Sequence, residues 1–236
     1  MGKIRIDELI VEVGRKCTRE CAHCLRGCGE DKKMSFETFK KLVDQVDKIG
    51  TITFTGGEPA LYGKEIAKMI YYMIENEKNV SGFYIATNGE IYSEQLMHAL
   101  IDFYAYIEEI YGVEEWSCKY EVSNDQFHSP KKSVVNKLKA YSFYSERSDI
   151  PDEGIICEGF AKDTYAGYGR ELEIREKFCV QDNSWDDEEA YEVEMLYLNA
   201  LGKILSDCNY SFETQRKLKP VDIKNIVLLD FIKQYV

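Results

Sequence analysis

Cys17-Thr18-Arg19-Glu20-Cys21-Ala22-His23-Cys24 follows closely on the apolar-rich run Leu9-Ile10-Val11-Glu12-Val13-Gly14. The stretch sets three cysteines at C-x3-C-x2-C spacing, within reach of one another on a single short loop. Three thiolates can hold three irons of a [4Fe–4S] cluster and leave the fourth iron to a ligand the protein does not supply. A structural zinc site is the other reading, because it closes all four positions with protein ligands. Cys28 stands at a suitable distance to be the fourth. The loop alone leaves both readings open.

Further along, Thr51-Ile52-Thr53-Phe54-Thr55-Gly56-Gly57-Glu58-Pro59-Ala60-Leu61 reads as a short β-branched strand that runs into a Gly-Gly-Glu-Pro turn. The cysteine triplet followed by this turn resembles the radical S-adenosylmethionine (SAM) enzymes. The pair is far more specific than either half. The resemblance continues through Ala86-Thr87-Asn88-Gly89 and Ser123-Asn124-Asp125-Gln126-Phe127-His128, in order along residues 10–130.

The chain of 236 residues is long enough for one large domain with a proper core. Its net charge of −12 speaks against broad electrostatic binding to nucleic acid, which leans on Lys and Arg at phosphates. No apolar run approaches the length of a membrane span, and the N-terminus lacks a signal-peptide pattern, so a cytoplasmic location is expected. Eight cysteines in such a chain point to metal or catalysis rather than to disulfides. Cys118, Cys157, Cys179 and Cys208 are scattered singly, so one cluster is expected, with Cys118 and Cys157 buried as plain thiols.

Periodicity supplies the element order. Ser35 reads as an N-cap, with Phe36, Phe39, Leu42, Val46 and Ile49 at helical spacing behind it. A second helix is expected over 63–77, with Tyr71 and Tyr72 as core material. A third strand is expected over 82–88, and a helix capped by Ser93 runs to Ile107. The fourth strand is expected over 117–122, with Pro130 opening a helix, and a fifth over 154–159. This strand–loop–helix rhythm indicates parallel βα units. Regularity then fails over 161–190, where the acidic run from Asp182 to Glu189 reads as solvated surface. A sixth strand is expected over 194–199, a hairpin turn over 200–203 with its return over 204–206, and a closing helix from Pro220.

The resulting fold class is α/β. The resemblance implies a partial (β/α)6 TIM-like barrel, with a radical SAM core over residues 1–160 and the last strand and helix plus a short irregular C-terminal extension over 161–236. It also implies a [4Fe–4S] cluster held by Cys17, Cys21 and Cys24, with SAM on the fourth iron. Gly56 and Gly57 would let the backbone pass close to the methionine end of SAM, beside Glu58 and Pro59. His23 stands where the family usually carries an aromatic whose backbone meets adenine. Ser123 and Asp125 match the motif that contacts the ribose or carboxylate, and Asn88 falls at a strand end on the same face. Tyr168-Gly169-Arg170 resembles the Gly-Arg element whose Arg170 would fork onto the SAM carboxylate. Glu58 has a structural alternative, holding its own turn by accepting backbone N–H groups.

By the same resemblance the expected partners are a flavodoxin- or ferredoxin-type reductant and an unidentified substrate, peptide or protein being one class. Glycyl-radical-enzyme activases and 7-deazaguanine-forming enzymes are alternatives within the superfamily. A non-catalytic, zinc-stabilised binding protein is the alternative outside it.

Overall fold

The computed structural model describes residues 2–113, 117–148, 154–185 and 188–236. Within them, strands β1 (Lys3–Gly14), β2 (Lys48–Gly56), β3 (Val80–Thr87), β4 (Cys118–Ser123) and β5 (Tyr144–Arg147) pair in parallel, each with the next. Helices α1 (Phe36–Val43), α2 (Gly63–Glu75), α3 (Glu94–Tyr111) and α4 (Lys132–Leu138) fill the connections, as parallel strands require. The caps fall at the expected serines. Ser35 Oγ accepts the Thr38 N–H at 3.2 Å and Ser93 Oγ accepts the Leu96 N–H at 3.3 Å.

The helices cover one face of the sheet, and the main core lies between them. Ile52, Phe54, Phe83 and Ile85 meet Leu42, Ile70, Leu100 and Phe103 there. The buried positions change parity at one level of the sheet: Ile6 and then Leu9, Ile49 and then Ile52, Val80 and then Phe83, Val193 and then Leu196. The strands meet tightly at this row. A Cβ on Gly50 would sit 2.5 Å from the Asp7 carbonyl oxygen. Strict two-residue alternation therefore fails to describe these strands at this row, where their pairing holds register; the β1–β2 register shifts only later, between Glu12 and Gly14.

The sixth parallel strand, β7 (Ala190–Leu198), starts four residues earlier than expected and pairs with the free edge of β1, giving the order β5-β4-β3-β2-β1-β7. Six parallel strands are present, as the partial barrel requires, and the sheet stays open beyond β5. The short strand β6 (Val180–Asp182) runs antiparallel on β7. The expected hairpin is present: β8 (Lys203–Leu205) returns antiparallel to β7, and β9 (Val221–Asp222) follows it. Three short helices complete the chain, α5 (Ala161–Thr164), α6 (Phe212–Lys217) and α7 (Leu228–Ile232). No helix among the described residues is long and apolar enough to cross a membrane.

Other expectations are corrected. The fifth strand is Tyr144–Arg147 and not 154–159, where Ile156 makes only an isolated bridge to Arg170. Tyr-Ser-Glu-Arg lacks an apolar pattern because β5 is an edge strand. Helix α1 ends at Val43, and Ile49 belongs to β2. Pro130 precedes α4, whose N-cap is Lys131. After Pro220 come β9, a single 3₁₀ turn and α7, and Val227 is exposed. Tyr71 is exposed and donates to Asp102, while Tyr72 sits on the core's rim and donates to Asp44. Cys118 is buried at the start of β4, whereas Cys157 is half-buried off the sheet. Part of the acidic run, Asp186 and Asp187, lies outside the described residues.

Phe83 is 1% exposed and packs against Phe103 and Phe143. Phe83→Ala should cost about 3–5 kcal/mol of unfolding free energy, through lost burial plus a cavity, measured by urea denaturation.

Candidate functional site

The chemistry-bearing residues gather at the C-terminal ends of β1 to β5, the end of a parallel sheet where loops are free to build a site. The cysteine loop leaves β1, Gly56–Pro59 leaves β2, Asn88 follows β3, Ser123–His128 leave β4, and Arg147 ends β5.

The cysteine loop is locked at its base and along one side. Arg15 N–H donates to Lys32 O at 3.0 Å and Glu30 N–H to Arg15 O at 3.1 Å. Alongside, Gly57 N–H donates to Gly14 O at 3.0 Å and Glu58 N–H to Lys16 O at 2.9 Å. This seam needs both glycines. A Cβ on Gly56, whose φ is +149°, would lie 2.1 Å from Gly14 O, and one on Gly57 would lie 2.2 Å from Lys16 O. The clearance they supply serves the cysteine loop's own backbone. Tyr62 OH accepts the Lys16 N–H at 2.8 Å from the same side.

Glu58 is 1% exposed and its carboxylate faces inward. It accepts from Ala60 N–H at 3.0 Å, Thr87 OH at 2.7 Å and Asn88 N–H at 2.9 Å. It therefore joins the β2 turn to the end of β3. Burial pushes its carboxyl up, against the pull of those donors. Asn88 extends the connection, its Nδ2 donating to Thr18 Oγ1 at 2.9 Å.

Cys17, Cys21 and Cys24 line one cavity of about 390 Å³, together with Gly56–Pro59, Asn88, Ser123, His128 and Arg147. Cys28 lies in a separate groove, with Glu158, Phe212 and Arg216. The Cys21 thiol is pushed up to about 11, by burial first and then by Cys24 and Cys17 beside it; burial also raises Cys17.

A polar cluster stands beside Cys21. Ser123 Oγ accepts from the Arg147 guanidinium at 2.8 Å, and Asp125 Oδ1 accepts from the Phe127 N–H at 3.0 Å and holds His128 Nδ1 at 2.7 Å. Burial acts to raise the Asp125 carboxyl, but His128, the Phe127 N–H and Arg147 outweigh it and hold it below its ordinary value. His128 Nε2 reaches Cys21 Sγ at 3.5 Å. The His23 ring stacks on Phe127 with centroids 4.0 Å apart. Burial, then His128, lowers His23 to about 4, so it is neutral at physiological pH.

Three buried polar atoms at or beside this cavity have no hydrogen-bond partner among the described residues: His23 Nδ1, Asp125 Oδ2, which has the Arg147 guanidinium as an ion-pair partner at 3.7 Å, and Arg147 Nε. Unsatisfied buried groups in a native fold call for a ligand, water or ion. Here they supply an imidazole nitrogen, a carboxylate oxygen and a guanidinium N–H at or beside one space, a set that fits a zwitterionic nucleoside such as SAM. Among the described residues no three His, Cys, Asp or Glu side chains are arranged to hold a single metal ion; the three thiols that line the cavity suit, by their chemistry and number, an iron–sulfur cluster with one open position.

Arg170 is not brought to this space. It is exposed, its backbone pairs with Ile155 and Cys157, and it borders a groove with Asp207 and Asn209. Arg147 stands in the cavity instead. Nothing in the sequence marked it, since a lone arginine at the end of a polar edge strand has no pattern. Arg26, which also lines the cavity and donates to Cys208 O at 2.6 Å and Tyr210 O at 2.7 Å, was equally unmarked.

Comparison with known proteins agrees with this geometry. Residues 11–108 match the model of the Radical SAM superfamily. An uncharacterised protein of Methanocaldococcus jannaschii is 34% identical over 92 residues, 37% of this chain and 32% of that protein, so the match spans about a third of the relative's length. Among solved structures, BtrN in an open conformation superposes with a TM-score of 0.52 at 17% identity, covering 98% of this chain and 85% of that one. Streptococcus suis SuiB bound to its precursor peptide SuiA gives 0.51 at 12%, covering 97% and 64%. The anSMEcpe enzyme with bound AdoMet and a peptide gives 0.54 at 10%, covering 98% and 82%. These likenesses extend the shared fold past residue 108 to the end of the chain.

Two outcomes follow from the geometry. Gly57→Ala should destabilise the fold by about 1–3 kcal/mol through overpacking against Lys16 and lower the iron held after anaerobic reconstitution, read by denaturation and metal analysis. Because Cys17 and Cys21 are raised, they are protonated at neutral pH in the metal-free protein and must lose protons to ligate. Cluster loading should therefore release protons and become steadily more favourable as pH rises from neutral toward about 11, where the free Cys21 thiol titrates, measured by iron uptake at each pH.

Proposed function

We propose that this chain, which carries a radical SAM domain over residues 11–108, is an enzyme that binds one [4Fe–4S] cluster through Cys17, Cys21 and Cys24 and cleaves SAM reductively. The observation that carries this reading is the single cavity that three thiols share with His23 and Arg147, each of which keeps a buried nitrogen without a hydrogen bond, with Asp125 behind His128 and Cys28 outside it. When bound, the reduced cluster supplies the electron that breaks the S–C5′ bond of SAM and yields a 5′-deoxyadenosyl radical.

The protein's own part is binding, orientation and exclusion of water. The Arg147 fork, steadied by Ser123, is the group suited to the SAM carboxylate, in place of Arg170. Asp125, kept ionised by His128 and Arg147, is suited to a ribose hydroxyl. Neutral His23, stacked on Phe127, offers an uncharged edge to the adenine. Ile155 and Ile156 give the far side of the cavity an apolar cover against water. Glu58, Thr87 and Asn88 hold the loop that carries the thiols and take no direct part in the chemistry.

For the substrate, a peptide or protein is the class favoured by the fold, because SuiB and anSMEcpe, which share it, are bound to peptides in their structures. The reductant is a flavodoxin- or ferredoxin-type protein.

The test is anaerobic incubation with SAM and dithionite, reading 5′-deoxyadenosine and iron per chain. Cys17→Ala, Cys21→Ala and Cys24→Ala should each abolish product, and Cys28→Ala should retain it. A four-sulfur zinc protein that loses its metal on Cys28→Ala would overturn the reading. Arg147→Gln should weaken SAM binding by about 10-fold, the loss of a charge-assisted contact, while Arg170→Gln changes it little; the reverse order would reinstate Arg170.

A further inference from the structure

A buried charged network sits directly behind the cysteine loop. Arg15, two residues before Cys17, is fully buried, as is Glu12. Its guanidinium donates in three directions: to Glu12 Oε1 at 2.6 Å, to Glu30 Oε2 at 2.9 Å and to Gln215 Oε1 at 2.6 Å. Phe212 lies flat against it, 4.4 Å from ring centroid to guanidinium carbon. The remaining capacity of Glu12 is taken up by the Ala200 N–H at 3.0 Å, the Tyr197 hydroxyl and Gln215 Nε2 at 3.2 Å. Asn199 Nδ2 closes the set on Gln215 Oε1 at 3.0 Å.

The partners come from three parts of the chain. Glu12 lies near the end of β1, Glu30 lies at the far end of the cysteine loop, and Gln215 is on α6, 200 positions from Arg15 along the sequence. One side chain thus fixes where the loop leaves the sheet, where it returns, and where the C-terminal segment lies against it. A hydrophobic residue would fill the same volume without directional contacts, and replacing a buried ion pair by apolar residues is often neutral or stabilising. Stability alone therefore gives no reason for a charge here. A planar fork with fixed donor directions gives geometry.

We propose that Arg15 is the positioning residue of the cysteine loop, and that α6, through Gln215, forms part of the mounting that holds Cys17, Cys21 and Cys24 in place for a cluster. This rests on the proposed cluster for its role, but the loop restraint itself is a property of the metal-free chain. It gives the C-terminal segment a task in cofactor retention, although that segment contributes no thiol to the cavity.

The test uses two variants of the full chain. Arg15→Lys keeps a charge against Glu12 but not the fork, and Glu12→Gln with Arg15→Met removes the pair together, so neither leaves a lone buried charge. In metal-free protein, hydrogen–deuterium exchange across residues 15–33 should speed up at least 10-fold in both variants, with β2 and β3 unchanged. In anaerobically reconstituted protein, a chelator should strip iron at least 10-fold faster at a temperature well below the melt. The SAM-induced change in the reduced cluster's paramagnetic resonance spectrum should also shrink. Loop exchange or iron loss within threefold of wild type would overturn the proposal. If wild type takes up zinc and no cluster, the functional reading fails, and the exchange comparison still decides whether Arg15 restrains the loop.

Discussion

The backbone contact between Gly14–Lys16 and Gly56-Gly57 is the constraint on which the rest of the site depends. Two strand ends meet closely enough that any Cβ on either later glycine would fall inside a carbonyl oxygen's contact distance. That closeness allows two successive N–H groups of the β2 turn to bind carbonyls of the cysteine loop. The loop that carries the thiols is therefore tied at its start to the middle of a parallel sheet. Glu58 carries the restraint on to β3, and Asn88 returns it to the loop through Thr18.

Beside Cys21 the order is electrostatic. Asp125, His128, Ser123 and Arg147 hold one another in place, yet each of Asp125 and Arg147 keeps one buried atom without a hydrogen bond. Leaving such atoms unpaired costs on the order of 1–3 kcal/mol each, which a ligand that pairs them recovers. Preorganised and partly unsatisfied, this polar cluster is built for a charged, hydrogen-bonding guest. Beside it, burial and the neighbouring cysteines raise the Cys17 and Cys21 thiols, which a bound cation would deprotonate.

Much of this was legible in the sequence because the signals are local. Three cysteines on one loop, a Gly-Gly turn after a β-branched strand, and serine caps before amphipathic runs each depend on neighbours a few residues apart. The first four strands and three helices follow from them. What was not legible depends on distant partners. Strand β5 is polar because it is an edge, so no apolar pattern announces it. Strand β7 pairs with β1 across most of the chain, and only the assembled sheet reveals that free edge. Gly-Arg at 169–170 imitates a known element, but its backbone is committed to Ile155 and Cys157, which keeps the side chain outside the cavity. Arg147 and the Arg15–Gln215 contact carry no spacing at all. The seam glycines were identified by position, while their first duty, clearance for Lys16 and Gly14, emerged only from the packed backbone.

The central claim is that three cysteines leave one iron open and that SAM fills it through its amino and carboxylate groups. Electron–nuclear double resonance of the anaerobically reduced protein, with SAM isotopically labelled at its amino nitrogen and carboxylate oxygens, tests this most directly. Strong hyperfine coupling from both labels is the predicted result. A reduced cluster to which neither label couples, with the spectrum unchanged on adding SAM, would contradict it.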